Sequence, residues 1–492
     1  MNTRARLASN TLYNLINSTL AGIFGIATSI ITARVLGSTL LGEYSYILWL
    51  IGILTLIINA GLPMAVTKYI AEYAGKNDLA AARGIFSAVL RLEIVSSIIV
   101  SLLLASISYL LSSETLRMSL LLLSSINIIP IALSRIYYSA AAGLQKYRIL
   151  AKASLITSPI QFMLILLTLL SGYSVTGLIT ANIIGSVLNL SILGYFIKRE
   201  FKGIPGQTPL LDISLKKRIT KYSLGVSGII LIDAVVWQKS EVFFLERFSS
   251  APEIAFYSLA FTIGYMAMQI PAVFSSLLMP YFSEIYGQGD KKRLADGYTD
   301  STRYLAFIAF PIGICGAALS APLIELVYGR EYIGASLPAQ IILIINSFGA
   351  VSRASSSILY GTEEQSFILK WGSVIAVLNI MLDFLLIPRY GAIGAAIANS
   401  SAQMAGVIGG AVYVSRGFDI PYPLRPVLKI FASSVLTGLC IYTAYTLLNG
   451  YTGIMLSILL SPFVYFVSLF IFGAIDERDR NLVKGLLKRA GL

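Results

Sequence analysis

Apolar runs of about 20 residues recur along the whole chain, separated by short polar stretches. That length crosses the roughly 30 Å hydrocarbon core of a bilayer as a helix. The ten-residue apolar/polar alternation of an outer-membrane barrel is absent. The pattern predicts an all-α polytopic membrane protein with about fourteen transmembrane helices. Their approximate ranges are 11–36, 44–67, 88–111, 118–143, 151–171, 175–197, 222–246, 255–281, 304–328, 333–360, 368–387, 391–414, 427–448 and 452–473. Composition agrees: 56% of residues are hydrophobic and 12% are charged, about half the charge of a soluble domain.

The net charge of +13 reads mainly as topology. Basic residues collect in alternate loops, above all in the connection around 199–220, with Lys198, Arg199, Lys202, Lys216, Lys217, Arg218 and Lys221. By the positive-inside rule, both termini are expected in the cytoplasm of a multi-pass protein of the plasma (inner) membrane. No nucleic-acid partner is needed to explain the charge. The tail 474–492 reads as a basic amphipathic helix on membrane lipid. Cys315 and Cys440 both fall in spans, so no disulfide framework is expected. The chain has no histidine, which excludes a His-ligated metal and a His base; no metal or cofactor is expected.

The pattern also repeats. "GEYSYILWL" at 42–50 aligns with "AFYSLAFTI" at 255–263, pairing Tyr44 with Tyr257. Gly75 and Asp78 match Gly287 and Asp290, and Tyr173, Gly177 and Asn182 match Tyr390, Gly394 and Asn399. The matches are ordered at nearly constant offset, so two six-helix lobes related by a pseudo-twofold axis are expected. The implied division is an N-lobe over 1–198, a basic connection over 199–220, a C-lobe over 221–420, two extra helices over 421–473 and the tail over 474–492. A cavity between the lobes that opens alternately to each side is the expected consequence. Such a pathway needs no second subunit, so a monomer is expected.

"SRIYYSAAAG" at 134–143 matches "SRASSSILYG" at 352–361, so an intramembrane arginine occurs once in each half, as Arg135 and Arg353. Each lies eight residues before a glycine, roughly 12 Å along the helix and close to the midplane. An arginine there is costly and ordinarily faces a wet cavity or a substrate path. With Ser134, Ser352 and Lys239 they form the candidate substrate contacts; a guanidinium fork suits a phosphate or diphosphate. The alternative is that each arginine is neutralised by a buried acid and locks helices together. Glu93, Asp233, Glu241 and Asp383 are the candidate acids, and also the candidates for H+ or Na+ coupling. Asp233 and Glu241 would share one face of a continuous helix, about 80° apart, with Lys239 turned elsewhere. Arg34 and Arg247 match at the expected outer ends of two helices, as interface anchors or guards of the mouth. Arg91 and Arg303 match near the inner side, placed to attract an anionic headgroup or to hold lipid phosphate.

"DAVVWQKSEVFFLERFSSAPEIAFYSLA", followed by "MPYFSEIYGQGDKKRL", with "ARVLGSTLLGEYSYI", "LYGTEEQ" and "IPRYGAIGAAIANS", resembles the polysaccharide and oligosaccharide flippases. Their superfamily also holds the multidrug and toxin extruders and the lipid II flippases. The resemblance runs in order over residues 1 to about 420. It implies a V-shaped pair of lobes around a cationic cavity. It also implies a lipid-linked oligosaccharide, carried on a polyprenyl diphosphate, moved from the inner to the outer leaflet. A cation-coupled multidrug exporter is the alternative within the superfamily. A membrane glycosyltransferase or polymerase would need acids on sizeable loops, and the long connection holds only Glu200 and Asp212.

Overall fold

A computed structural model describes residues 3–111, 115–202, 204, 213–236, 239–448 and 450–475. The tail after 475 and the centre of the basic connection, 205–212, lie outside the described residues. All regular elements among the described residues are helical. In order they are α1 (Thr3–Asn59), α2 (Leu62–Gly75), α3 (Leu79–Leu111), α4 (Thr115–Gly143), α5 (Tyr147–Leu170), α6 (Val175–Glu200) and α7 (Ile213–Val236). There follow α8 (Glu241–Phe248), α9 (Ala251–Ala267), α10 (Gln269–Ser275), α11 (Leu278–Gly287), α12 (Lys291–Ala318) and α13 (Ser320–Val327). A 3-10 turn at Arg330–Ala335 leads to α14 (Ser336–Gly361), α15 (Gln365–Gly417), α16 (Leu424–Leu448) and α17 (Gly450–Ile471).

Ten of the described helices are long and apolar enough to cross a membrane, or eleven with the pair 251–267 and 269–287, bent by 45°. The count is lower than fourteen partly because neighbouring spans fuse. α1 has 57 residues and α15 has 53, each more than twice the length a bilayer core requires. Each is broken at a glycine that leaves helical geometry, Gly37 (φ 74°) and Gly391 (φ 52°). An L side chain resists this region of backbone space. At Gly391 the freed N–H of Ala392 donates to Glu253 Oε2 at 2.6 Å, so the second half of α15 is capped from α9.

The contacts divide the chain into two compact units, 1–234 and 235–492. In the first, buried clusters gather around Ile47, Ile128 and Leu178, and around Ile70, Ile136, Leu150 and Ile197. The first half of α7 packs here too, with Leu215 and Ile219 against Ala65, Tyr69 and Ile85. In the second, Phe282, Tyr298, Leu305 and Ile358 form one cluster and Phe310, Val351 and Ile430 another. Large apolar side chains such as Leu102, Leu103, Leu459 and Phe463 remain exposed, which is where lipid would replace protein as the apolar neighbour.

Residues matched by the sequence repeat play the same local parts in both units. Asp78 Oδ1 accepts the N–H of Ala81 at the start of α3, and Asp290 Oδ1 accepts that of Arg293 at the start of α12. Both are N-caps three residues ahead of the amide they satisfy. Gly143 packs directly on Thr67 and Ile70 of α2, and Gly361 on Met279 and Ser283 of α11. A side chain at either would meet backbone.

Candidate functional site

In the first unit the site begins with the seam between α3 and α4. Ser101 Oγ donates to the Ser125 carbonyl at 2.7 Å, and the Phe86 and Tyr137 rings meet edge-on at 5.1 Å. These two ties fix an antiparallel register that places Glu93 level with residues 130–133 of α4, two to five residues before Arg135. Glu93 is fully buried, and neither carboxylate oxygen has a hydrogen-bond partner. Arg135 is the charged group that acts on it electrostatically.

Arg135 itself is exposed, on the wall of a cavity of about 280 Å³. Ser134, Tyr138, Asn17, Ser154, Ser186 and Asn189 supply the other polar walls. Asn17 accepts a hydrogen bond from Ser154 Oγ, joining α1 to α5. Ser134 is buried and its hydroxyl has no partner. Ile131, Leu150, Ala153 and Leu193 complete the lining. The chamber thus combines one guanidinium, an unpartnered hydroxyl and several amides and hydroxyls. That inventory suits an anionic, hydroxyl-rich guest.

In the second unit the chemistry is different. The helix does not continue from Asp233 to Glu241, contrary to the sequence expectation. α7 ends at Val236, and the Ser240 hydroxyl takes over the Val235 carbonyl at 2.8 Å before α8 begins. Asp233 is exposed and falls in the first unit, while Glu241 is fully buried in the second, so the two carboxylates share no helix face. Glu241 is instead the hub of a buried polar cluster. Tyr257 donates its hydroxyl to Glu241 Oε2 at 2.6 Å. Asn399 and Asn379 donate to Oε1 at 2.8 and 3.1 Å. Asn379 also donates to Asp383 Oδ2 at 3.1 Å, and Gln403 donates to Asn399 Oδ1 at 2.6 Å. The Oδ1 atoms of both Asp383 and Asn379 are buried without a hydrogen-bond partner.

Two carboxylates and several amide groups meet there, and among the described residues their hydrogen-bond donors named above are a hydroxyl and amides. Two adjacent buried carboxylates cannot both stay charged without a proton or a cation to offset them. Oxygen donors of this kind suit a proton or a hard cation such as Na+. No group of three His, Cys, Asp or Glu able to hold a metal occurs among the described residues.

The remaining expected residues are spread out. Lys239 is half-buried; its Nζ donates to the Ser258 carbonyl and to Thr262 Oγ1 at 3.2 and 3.3 Å and lies 5.5 Å from the Phe261 ring. Arg353 is exposed on α14, and the titratable group acting on it is Tyr265. Ser352 donates to Gly349 of its own helix. Arg34, Arg91 and Arg247 are exposed. Arg303, expected at an approach to the cavity, is buried within α12. A group so enclosed cannot attract a headgroup from outside. Asn17, Ser154, Ser186 and Asn189, and Asn379 and Gln403, were not singled out in the sequence. Tyr257 and Asn399 were, as repeat-matched polar positions, without a role.

This architecture, with charged and polar clusters among long apolar helices, is that of a multi-pass membrane protein. Comparison with known proteins makes that specific. The polysaccharide biosynthesis protein family matches residues 31–337, and the lipid II flippase MurJ family matches residues 242–471. The chain belongs to the polysaccharide biosynthesis protein family, within the superfamily of flippases and exporters its motifs resemble. Relatives include the capsular polysaccharide biosynthesis protein CapF of Staphylococcus aureus, 30% identical over 29% of this chain and 36% of that protein. The lipid II flippase MurJ of Bacillus subtilis is 23% identical over 34% of this chain and 32% of MurJ. An uncharacterized membrane protein of Methanocaldococcus jannaschii is 32% identical over 27% of this chain and 26% of its own length. The chain thus spans about a quarter to a third of the curated relatives it matches.

A solved structure of lipid II flippase MurJ in an inward closed conformation superposes with a TM-score of 0.76 at 18% identity, covering 96% of this chain and all of that one. An inward-facing multidrug resistance transporter of the MATE family superposes with a TM-score of 0.64 at 15% identity, covering 83% of this chain and 98% of that one. These likenesses establish the fold. The resemblance carried by the sequence motifs therefore holds at the level of family.

Proposed function

We propose that this protein moves a lipid-linked oligosaccharide, on a polyprenyl phosphate or diphosphate, from the inner to the outer leaflet by alternating access. The observation that carries the reading is the cavity of about 280 Å³ in the first unit, with Arg135 on its wall and the unpartnered Ser134 hydroxyl beside it. Arg135 engages a phosphate of the cargo, and Asn17, Ser154, Ser186 and Asn189 bond to the sugar next to it. Arg353, its repeat counterpart, gives the second unit an equivalent guanidinium. The acyl chain stays in lipid. Membership of a polysaccharide biosynthesis family supports a sugar-bearing cargo.

The Glu241–Asp383 cluster is the coupling site, taking H+ or Na+. The working location is the plasma membrane with both termini cytoplasmic, and the working unit is a monomer. The direct experiment is headgroup translocation of a polyprenyl-diphosphate oligosaccharide in proteoliposomes. Wild-type protein accelerates it and the Arg135→Ala, Arg353→Ala double variant does not; unchanged translocation by the double variant rejects the phosphate assignment. A second reading, a cation-coupled drug exporter, has the buried carboxylates and the MATE-like fold in its favour. Efflux of a cationic dye, with no oligosaccharide translocation, would establish it.

A further inference from the structure

The isolated carboxylate of Glu93 remains unexplained by cargo contacts or by the coupling cluster. It is fully buried and both oxygens lack hydrogen-bond partners. The seam defined by Ser101–Ser125 and Phe86–Tyr137 sets it level with a point two to five residues before Arg135 on α4. α3 packs on α1, α2 and α4, and among the described residues Arg135 of α4 is the charged group acting on Glu93. Its sole electrostatic support is thus the same guanidinium that lines the cavity.

The repeat supplies a contrast. Arg91 matches Arg303 at an offset of 212 residues, which puts Leu305, a fully buried core residue, where the first unit has Glu93. The arginine is duplicated and the acid is not. A helix-locking acid serving both arginines alike would recur with them.

We infer that Glu93 is the resident counter-ion of Arg135, and that cargo phosphate replaces it in that role while Glu93 takes up a proton. The reading rests on the proposed function above. With the cavity empty, the Glu93 carboxylate and the Arg135 guanidinium offset each other. When a phosphate engages Arg135, the guanidinium carries an anion of its own. The buried carboxylate then faces apolar surroundings with neither a hydrogen bond nor an uncommitted cation, and burial favours its neutral form. The balance is simple: the carboxylate gains one proton from solvent, and the Glu93 side chain becomes a neutral acid. Binding of cargo in the first unit is therefore linked to proton uptake, and release to proton loss.

The test is calorimetric titration of the full chain in detergent with farnesyl-diphospho-N-acetylglucosamine, at one near-neutral pH in two buffers of different ionisation enthalpy. Both phosphates of this probe are diesters and hold no proton in that range, so any proton taken up belongs to the protein. Linkage predicts net proton uptake on cargo binding by wild-type protein, up to about one proton per cargo, and about none by Glu93→Gln, which binds at least as tightly. Glu93→Leu, which copies the residue of the other unit, gives the same result should the glutamine variant fold poorly. Wild-type binding without proton uptake, or equal uptake by the Glu93 variants, overturns the inference while leaving the flippase reading intact. Absence of Arg135-dependent binding overturns both.

Discussion

Asn182 Nδ2 donates to the Tyr44 hydroxyl at 2.6 Å, whereas their repeat counterparts, Asn399 and Tyr257, both donate to the carboxylate of Glu241, at 2.8 and 2.6 Å. The same Tyr and Asn frame thus serves as a helix tie in one unit and as the cradle of an anion in the other. The offset that matches Arg34 to Arg247 aligns Glu241 with Thr28. A neutral residue in the first unit thus stands where the second has a buried acid, hydrogen-bonded through Asn379 to Asp383.

The first prediction follows from that cradle. Raising Na+ should stabilise the detergent-solubilised protein, by about 2.7 kcal/mol when the ion reaches roughly 100 times its dissociation constant. Glu241→Gln should abolish the ion-dependent rise in melting temperature. A wild-type melting temperature that is insensitive to Na+, with transport that follows a pH gradient, assigns the site to H+.

Arg135→Ala should weaken binding of a polyprenyl-diphosphate sugar by about 10- to 100-fold, the range expected when one charge-assisted hydrogen-bonded contact is lost. Arg135→Lys should recover only part of this, because an ammonium cannot present the planar fork. Equilibrium binding of a short-chain fluorescent analogue measures both.

Outside the membrane-spanning segments, Arg218 near the start of α7 grips Glu72 of α2 with two hydrogen bonds, at 3.2 and 3.1 Å, and Lys76 adds a third at 2.8 Å. The Lys76 and Arg218 hydrogen bonds hold the Glu72 carboxyl below the usual glutamate range. A carboxyl depressed in the folded state stabilises the protein above its unfolded pKa, and this contribution fades as pH falls through the folded value. Glu72→Gln should therefore lower the melting temperature at neutral pH, and the difference from wild type should vanish in acid. A gap between the two melting curves that persists at low pH contradicts this.

Gly61 adopts φ +74°, and a Cβ there would sit 2.5 Å from the Ser223 carbonyl of α7. Backbone cannot step aside as a flexible side chain would. Gly61→Ala should cost about 1–3 kcal/mol from overpacking, with further strain from the left-handed backbone. Thermal unfolding is the measure, and a neutral effect would mean that α7 can move away from α2 without loss.

Helical spans, their periodic apolar faces and the internal repeat were legible because membrane insertion and helix packing act through local composition and spacing. So were Asp78 and Asp290, whose capping depends on residues three positions ahead. The position of each arginine in an apolar run was plain in the sequence too, because a permanent charge stands out there. By contrast, the expected pairing of Asp233 with Glu241 assumed a helix that the chain interrupts after Val236. Arg303, read as an approach to the cavity, is buried in the folded chain.

From sequence alone came the class of protein, the family likeness and the short roster of buried charges, since each of these is written in the order of residues along one chain. Which acid meets which partner was decided only in three dimensions. Glu93 met Arg135 across the seam of two consecutive helices, and Glu241 gathered Tyr257 from the next helix and Asn379 and Asn399 from the distant α15, contacts that exist only after packing. In a low-dielectric interior the free energy of a charge is set by the few groups within hydrogen-bonding or electrostatic reach, and a linear pattern does not encode those neighbours.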